Sequence, residues 1–251
     1  MITSIKDINT DKNCQFSESN SRLICKIQCQ DYRMFFKTIS NNSVDLILTD
    51  PPYTISRETG FKAIGKKSVE RFAVSMDFGK WDHTLIDLDL LCHLSYKALR
   101  SGGTAIIWYD MWKLSHLSDS MKKAGFKQIR LIMWNKTNPV PLNAKVNYLS
   151  NHSEIAVLGV KVGKPTFHGY YDNGRYEYPI PNNGKRYHPT QKPLSLFNDL
   201  VLKHSNEMDL VIDPFLGGGT TALAAKNHNR NFLGCDLDEG YVQIAKKRLG
   251  I

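Results

Sequence analysis

No stretch of the 251-residue chain approaches the ~18 to 20 consecutive apolar residues that a membrane-spanning helix requires. Residues 1–13 carry Lys6, Asp7, Asp11 and Lys12 where a secretory signal would be apolar, so a cytoplasmic location is expected. Cysteine is scarce and unpatterned. Cys14, Cys25, Cys29, Cys92 and Cys235 form no C-x-x-C pair and have no histidine at zinc-finger spacing, which excludes a disulfide framework and a structural zinc. They read as free thiols, no metal site is expected, and none of them follows a proline. Fixed-period repeats and low-complexity tracts are also missing, and 41% hydrophobic with 23% charged residues fits a single soluble α/β domain spanning 1–251.

Acidic side chains are the minority sign. The balance of 33 Lys and Arg against 24 Asp and Glu leaves +9, which points to polyanionic partners rather than to a fold. The excess is uneven, at +3 in residues 54–80, +6 in 113–145 and +4 in 160–192, while the remainder of the chain is −4. Solvated loops would explain any one of these segments, but three around a near-neutral remainder suit a cleft that grips phosphates.

Hydropathy patterning predicts alternating strands and helices. Strands are expected at 23–29, 43–49, 104–109, 127–134, 154–160, 210–212 and 231–235, and helices at 32–39, 84–99, 112–123, 194–204, 220–227 and 239–249. Ser101-Gly102-Gly103 is read as the stop of the second helix and Gly125 as that of the third. The first twenty residues have no pattern and are expected to form a loose arm. Residues 165–189, rich in Tyr, Gly, Pro and Asn, read as an irregular insert. The alternation argues for a doubly wound, mostly parallel sheet with helices on both faces.

Two clusters sit where strands end, which is where open α/β sheets place ligands. In Asp50-Pro51-Pro52-Tyr53 two prolines fix the backbone and remove two N–H groups, leaving a carboxylate, carbonyls and an aromatic face. Such a ledge suits a planar base with an exocyclic NH₂, though a sharp loop with Tyr53 covering the sheet edge would also use these residues. The second cluster is Asp213-Pro214-Phe215-Leu216-Gly217-Gly218-Gly219-Thr220-Thr221, followed by Asp236 at the end of the next strand. Its glycines would let backbone approach a ligand, Asp236 could accept two ribose hydroxyls, and Asp213 could hold a ligand's ammonium group. The run also matches G-x-G-x-x-A through Ala222, so a nicotinamide or flavin oxidoreductase stays open.

In this order the two clusters resemble the β class of amino-group DNA methyltransferases, which use S-adenosylmethionine. Further matches are Ser43 to Leu48, Trp81-Asp82, Leu99 to Gly103, His152-Ser153-Glu154, His188-Pro189-Thr190-Gln191-Lys192-Pro193, and Tyr241 to Leu249, so the resemblance covers roughly residues 23–251. It implies a Rossmann-like methyltransferase sheet of seven strands, one antiparallel, in a chain circularly permuted so that the catalytic half comes first. Asp50, Pro51, Pro52 and Tyr53 would be catalytic. Asp31, His188, Thr190, Gln191, Lys192, Asp213, Phe215, Gly217, Gly219, Thr220 and Asp236 would surround the cofactor. DNA would be gripped by Arg57, Lys62, Lys66, Lys67 and Arg71 in the loop 54–80, and by Arg175, Lys185 and Arg186 in a target-recognition insert at 160–187.

The implied reaction is direct methyl transfer to the exocyclic amine of an extruded base, in restriction-modification or as a solitary enzyme. Ring-carbon methylation would need a thiolate, usually presented as Pro-Cys, which this chain lacks. The residue before Pro-Pro-Tyr is usually Asp or Asn for adenine N6 and Ser for cytosine N4, so Asp50 favours adenine, with cytosine N4 the alternative. The same turn occurs in methyltransferases acting on RNA or on a protein glutamine, and a catalytically silent DNA-binding protein is the non-enzyme reading. Double-stranded DNA is the expected partner, with single strands, a homodimer and a cognate restriction endonuclease allowed but not decided.

Overall fold

The computed structural model describes residues 23–52, 86–139, 150–181, 187 and 190–251. Eight strands form one sheet: β1 (Cys25–Cys29), β2 (Val44–Thr49), β3 (Leu99–Tyr109), β4 (Lys127–Lys136), β5 (Ser153–Val160), β6 (Arg175–Tyr178), β7 (Leu210–Asp213) and β8 (Asn231–Asp236). Their spatial order is β1-β8-β7-β2-β3-β5-β4-β6, and β5 is the strand that pairs antiparallel with its neighbours. Six helices among the described residues pack on it: α1 (Tyr32–Thr38), α2 (Leu88–Ala98), α3 (Leu114–Ala124), α4 (Leu194–His204), α5 (Thr220–Asn227) and α6 (Glu239–Leu249).

Period-two alternation in the strands feeds two cores, one on each sheet face. From β2 and β3, Leu46, Leu48, Ile106 and Trp108 meet Leu196, Phe197 and Leu200 of α4, Ala224 of α5 and Val242 of α6. The opposite face joins Ile47, Ala105, Ile107 and Tyr109 to Phe35 of α1, Leu91 of α2 and Leu117 of α3. This is the doubly wound arrangement expected from the alternation. The helix ends follow from local chemistry: Asp31 and Asp87 cap α1 and α2 by accepting from the backbone N–H of Arg33 and Leu90, and Gly125 ends α3 at φ 109°.

Three expectations need correction. The sheet has eight strands rather than seven, because part of the supposedly irregular insert is β6, which pairs parallel with β4 from Met133↔Arg175 to Lys136↔Tyr178. Four residues are too few to show a period, but Tyr176 is buried, and the Tyr178 carbonyl accepts from Trp134 Nε1 at 2.8 Å. Ser101–Gly103 does not separate a helix from a strand, since β3 already starts at Leu99. It forms a bulge in which Val44 faces Leu99 while Leu46 faces Thr104. Gly102 has φ +76°, and a Cβ there would lie 2.1 Å from the Lys164 carbonyl oxygen, so a close chain crossing rather than a helix stop demands the glycine. Helix α3 opens at Leu114, because Met111–Lys113 forms a separate 3-10 turn capped by Asp110. The expected N-terminal arm and the loop 54–80 lie outside the described residues.

Candidate active site

Strands β7 and β2 lie side by side at the point where the winding reverses. From β2 the chain crosses through α2 to β3 on one side, and from β7 it crosses through α5 to β8 on the other. The diverging connections leave a crevice beyond the carboxyl ends of the two strands. Both sequence clusters open into it. Asp50, Pro51 and Pro52 follow β2, the glycine turn follows β7, and together they line a cleft of about 280 Å³ with Asp31, Tyr32, Thr190, Gln191, Lys192, Asp236 and Tyr241.

The clusters are joined beneath the cleft by Asp213. Its Oδ1 accepts from Thr49 Oγ1 at 2.7 Å and from the Phe215 N–H at 3.0 Å, and its Oδ2 accepts from Thr221 Oγ1 at 2.6 Å. Burial pushes this carboxyl up to about 6 against the pull of those three donors, and the nearby Asp50 charge adds to the rise. These bonds give Asp213 a structural role at the cleft that it also lines. It clamps the end of β2 to the glycine turn, and only 3% of its surface is exposed.

The glycine turn is held from both sides. Asp236 Oδ2 accepts from the Gly217 N–H at 2.8 Å and Oδ1 from the Asp238 N–H at 3.0 Å, while burial raises the Asp236 carboxyl. Gly219, at φ +77°, begins α5 so close to α6 that an added Cβ would stand 2.8 Å from that of Ala245. Phe215 packs its ring 5.1 Å from that of Tyr32, and both line the cleft with Asp31. Asp31 in turn grips the Arg33 guanidinium through both oxygens at 2.8 Å, which holds its carboxyl below the usual range.

Lys192, expected beside the cofactor, lines the same cleft and is paired with carboxylates of the catalytic side. Its ammonium is buried against Asp50 Oδ2 and lies 3.0 Å from Glu154 Oε2, over the Trp108 ring with the centroid 5.6 Å away. Glu154 Oε1 is shared with Lys136 at 2.7 Å. The sequence reading assigned no role to Glu154 or Lys136. The signal was the sheet itself: β5 runs antiparallel, so its first residues lie at the carboxyl edge where the site is built. Asp50 Oδ1 is buried and has no hydrogen-bond partner among the described residues.

Among the described residues the cleft is lined by five carboxylates (Asp31, Asp50, Asp87, Asp213 and Asp236) and two cations (Arg33 and Lys192). In a chain of net charge +9, this local excess of acid favours a positively charged ligand. Thr190, Gln191, Phe215, Gly217 and Thr220 are brought to the same cleft, with Gln191 Oε1 accepting from the Tyr187 N–H at 2.9 Å. Gly219 lies just behind them at the start of α5. Arg175 opens β6 at the sheet's far edge, exposed and away from the cleft. Tyr53, Arg57, Lys62, Lys66, Lys67, Arg71, Lys185, Arg186 and His188 lie outside the described residues.

The family model for the N6/N4 type of DNA methylase matches residues 44–247. The chain belongs to the amino DNA methyltransferases. Within that family it is 30% identical over 239 residues to the Type II methyltransferase M2.DpnII of Streptococcus pneumoniae, covering 86% of this chain and 85% of that one. It is also 30% identical to M.HinfI of Haemophilus influenzae, over 85% of this chain and 65% of the other. A crystal structure of the M1.HpyAVI–SAM complex superposes with a TM-score of 0.68 at 29% identity, covering 90% and 99% of the two chains. The cytosine-N4-specific PvuII DNA methyltransferase reaches the same TM-score at 16% identity over 89% and 85%, a likeness of fold. This amino methyltransferase thus shares its sheet with enzymes from which most of its sequence has diverged.

Proposed function

We propose that the protein is a site-specific DNA methyltransferase that moves a methyl group from S-adenosylmethionine to the exocyclic amine of a flipped base, adenine N6 in particular. The observation that carries this reading is the convergence of the Asp50-Pro51-Pro52 ledge and the Gly217–Gly219 turn on one acid-lined cleft. The cofactor fits the groups present. S-adenosylmethionine supplies an electrophilic methyl on a sulfonium cation, and the excess of carboxylates suits its positive charge. Asp236 would receive the ribose hydroxyls, Tyr32 and Phe215 would flank the apolar part, and Asp31 would stand at the cleft mouth.

An aromatic amine is a poor nucleophile because its lone pair is delocalised into the ring. Asp50 and the Pro51 carbonyl can each accept one N–H, which pulls the nitrogen toward tetrahedral geometry and localises the lone pair. Asp50 as the residue before Pro-Pro-Tyr supports adenine. Extruding a paired nucleotide costs a few kcal/mol, and Tyr53, next in the chain, is suited to offset part of that by stacking. The basic segments 54–80 and 160–187 supply candidate phosphate contacts. The Type II relatives support a place in restriction-modification, with a cognate endonuclease as cellular partner.

The test is to incubate the purified protein with methyl-labelled S-adenosylmethionine and unmethylated genomic DNA, digest to nucleosides and identify the labelled base by mass. N6-methyladenine is expected. N4-methylcytosine would overturn the target, and label on RNA or protein alone would overturn the substrate. Asp50→Ala should abolish transfer while leaving cofactor affinity largely intact, and wild-type turnover in that variant would remove Asp50 from the mechanism.

A further inference from the structure

A chain of ion pairs runs behind Asp50. Lys192 sits in the loop before α4, Glu154 on β5 and Lys136 at the end of β4, and β3 contributes Trp108 beneath the Lys192 ammonium. Two cations and two carboxylates alternate in the order Lys136, Glu154, Lys192, Asp50, so the group is neutral as a whole but committed at each joint. Lys192 is 3% exposed, and a buried ammonium persists only where carboxylates meet it. One Asp50 oxygen is thereby occupied and the other is left without a partner among the described residues.

We propose that Lys192, braced by Glu154, is a positioning residue for Asp50: it fixes Oδ2 and so presents Oδ1, together with the Pro51 carbonyl, as the acceptor pair for the target amine. The proposal rests on the reading of Asp50 as the catalytic acceptor given above. It explains why a lysine near the cofactor side of the cleft turns its ammonium to the catalytic side instead. A freely rotating carboxylate could offer either oxygen at many angles, whereas one pinned at Oδ2 offers Oδ1 in one direction.

The same geometry governs the charge on Asp50. Burial raises its carboxyl and the neighbouring Glu154 charge adds to that, while Lys192 opposes both. Asp213 is the further acid facing it from β7, and Lys136 reaches it only through Glu154. A protonated Asp50 would lose an acceptor, so transfer should fall on the acid side. Removing the Lys192 charge should move that acid limb to higher pH, and removing the Glu154 charge should move it to lower pH.

The experiment measures single-turnover methyl transfer to unmethylated genomic DNA across pH for the full chain and for Lys192→Met, Lys192→Arg and Glu154→Gln, with S-adenosylmethionine affinity determined in parallel by calorimetry. We expect Lys192→Met to lose roughly 100-fold in transfer rate at saturating cofactor, the scale of a misplaced reacting group. Its acid limb should rise, cofactor affinity should change less than about threefold, and Lys192→Arg should recover part of the rate. Glu154→Gln keeps an acceptor for Lys192 and gives a second, gentler reading, in which the limb should shift the opposite way. A Lys192→Met enzyme with wild-type rate and pH profile, or one that loses cofactor affinity but transfers normally once saturated, would overturn the proposal. So would a Glu154→Gln limb that stays where it is. Asp50→Ala, which removes both acceptor oxygens, run alongside separates the two readings: full activity there refutes the catalytic acceptor itself, whereas its loss with Lys192→Met unaffected refutes only the positioning role.

Discussion

Replacing Asp213 with asparagine tests the clamp beneath the cleft through the pH dependence of stability. The folded chain holds the Asp213 proton to about pH 6, against 3.8 for an ordinary aspartate, a gap worth roughly 3 kcal/mol. The folded state binds this proton more tightly than the unfolded one. Stability from this group is therefore full below about pH 4, falls as pH rises, and is lost by the time pH passes 6. Asparagine carries no such proton and fits the same bonds. Its Oδ1 can accept from Thr49 and the Phe215 N–H, while its Nδ2 donates to Thr221, whose own hydroxyl hydrogen can turn to the Leu48 carbonyl at 3.2 Å. Urea denaturation of both proteins at several pH values should show the variant gaining on the wild type by roughly 3 kcal/mol between pH 4 and pH 8. Cofactor affinity should barely change, whereas a carboxylate that held a ligand's ammonium would cost about tenfold or more on removal. A stability difference independent of pH, or one that shrinks as pH rises, would refute the burial argument. A large loss of cofactor affinity would return Asp213 to the ligand.

Two further substitutions probe the glycine turn. Gly219→Ala places a Cβ at positive φ and 2.8 Å from the Ala245 Cβ, so thermal melting should show a loss of about 1–3 kcal/mol. Adding Ala245→Gly should relieve the contact but leave the backbone penalty. Asp236→Ala removes the acceptor that holds the Gly217 N–H as well as the expected ribose contact. Calorimetric titration should show cofactor affinity falling at least about tenfold while a DNA mobility assay changes little, and equal losses in both would argue against the ribose assignment.

The fold was legible because its signals are local and repeated. Helices α4, α5 and α6 begin and end where hydropathy patterning places them, and the strands that carry both clusters are short apolar runs stopped by proline or glycine. The elements that escaped depend on contacts distant in sequence. β6 exists because Tyr176 and Tyr178 lie against Trp134 and α4, where Lys203 reaches both Asp172 at 2.7 Å and the Tyr176 ring. The bulge in β3 is dictated by a chain crossing at Lys164, 62 residues away. Neither has a period or a turn signature that a sequence window could hold.

The site divides along the same line, and charge shows why. Asp50, Asp213 and Asp236 are legible as three carboxylates at strand ends, and sequence alone turns each of them toward a ligand. Their surroundings make them three different groups. Asp213 spends its oxygens on two threonines and a backbone N–H, Asp236 holds the glycine turn while lining the cleft, and Asp50 is paired at one oxygen among the described residues. A cleft richer in carboxylates than in cations, inside a chain of net charge +9, also separates two demands of opposite sign: a cationic methyl donor needs acid nearby, and a DNA backbone needs basic loops around it. At physiological ionic strength charges screen over about 8 Å, so both demands can be met in one small domain if the acids are buried at the sheet edge and the bases stand on the loops. Lys192, like Arg33, is a cation brought to the acidic side, and its burial between Asp50 and Glu154 is what makes it the residue whose removal is most informative.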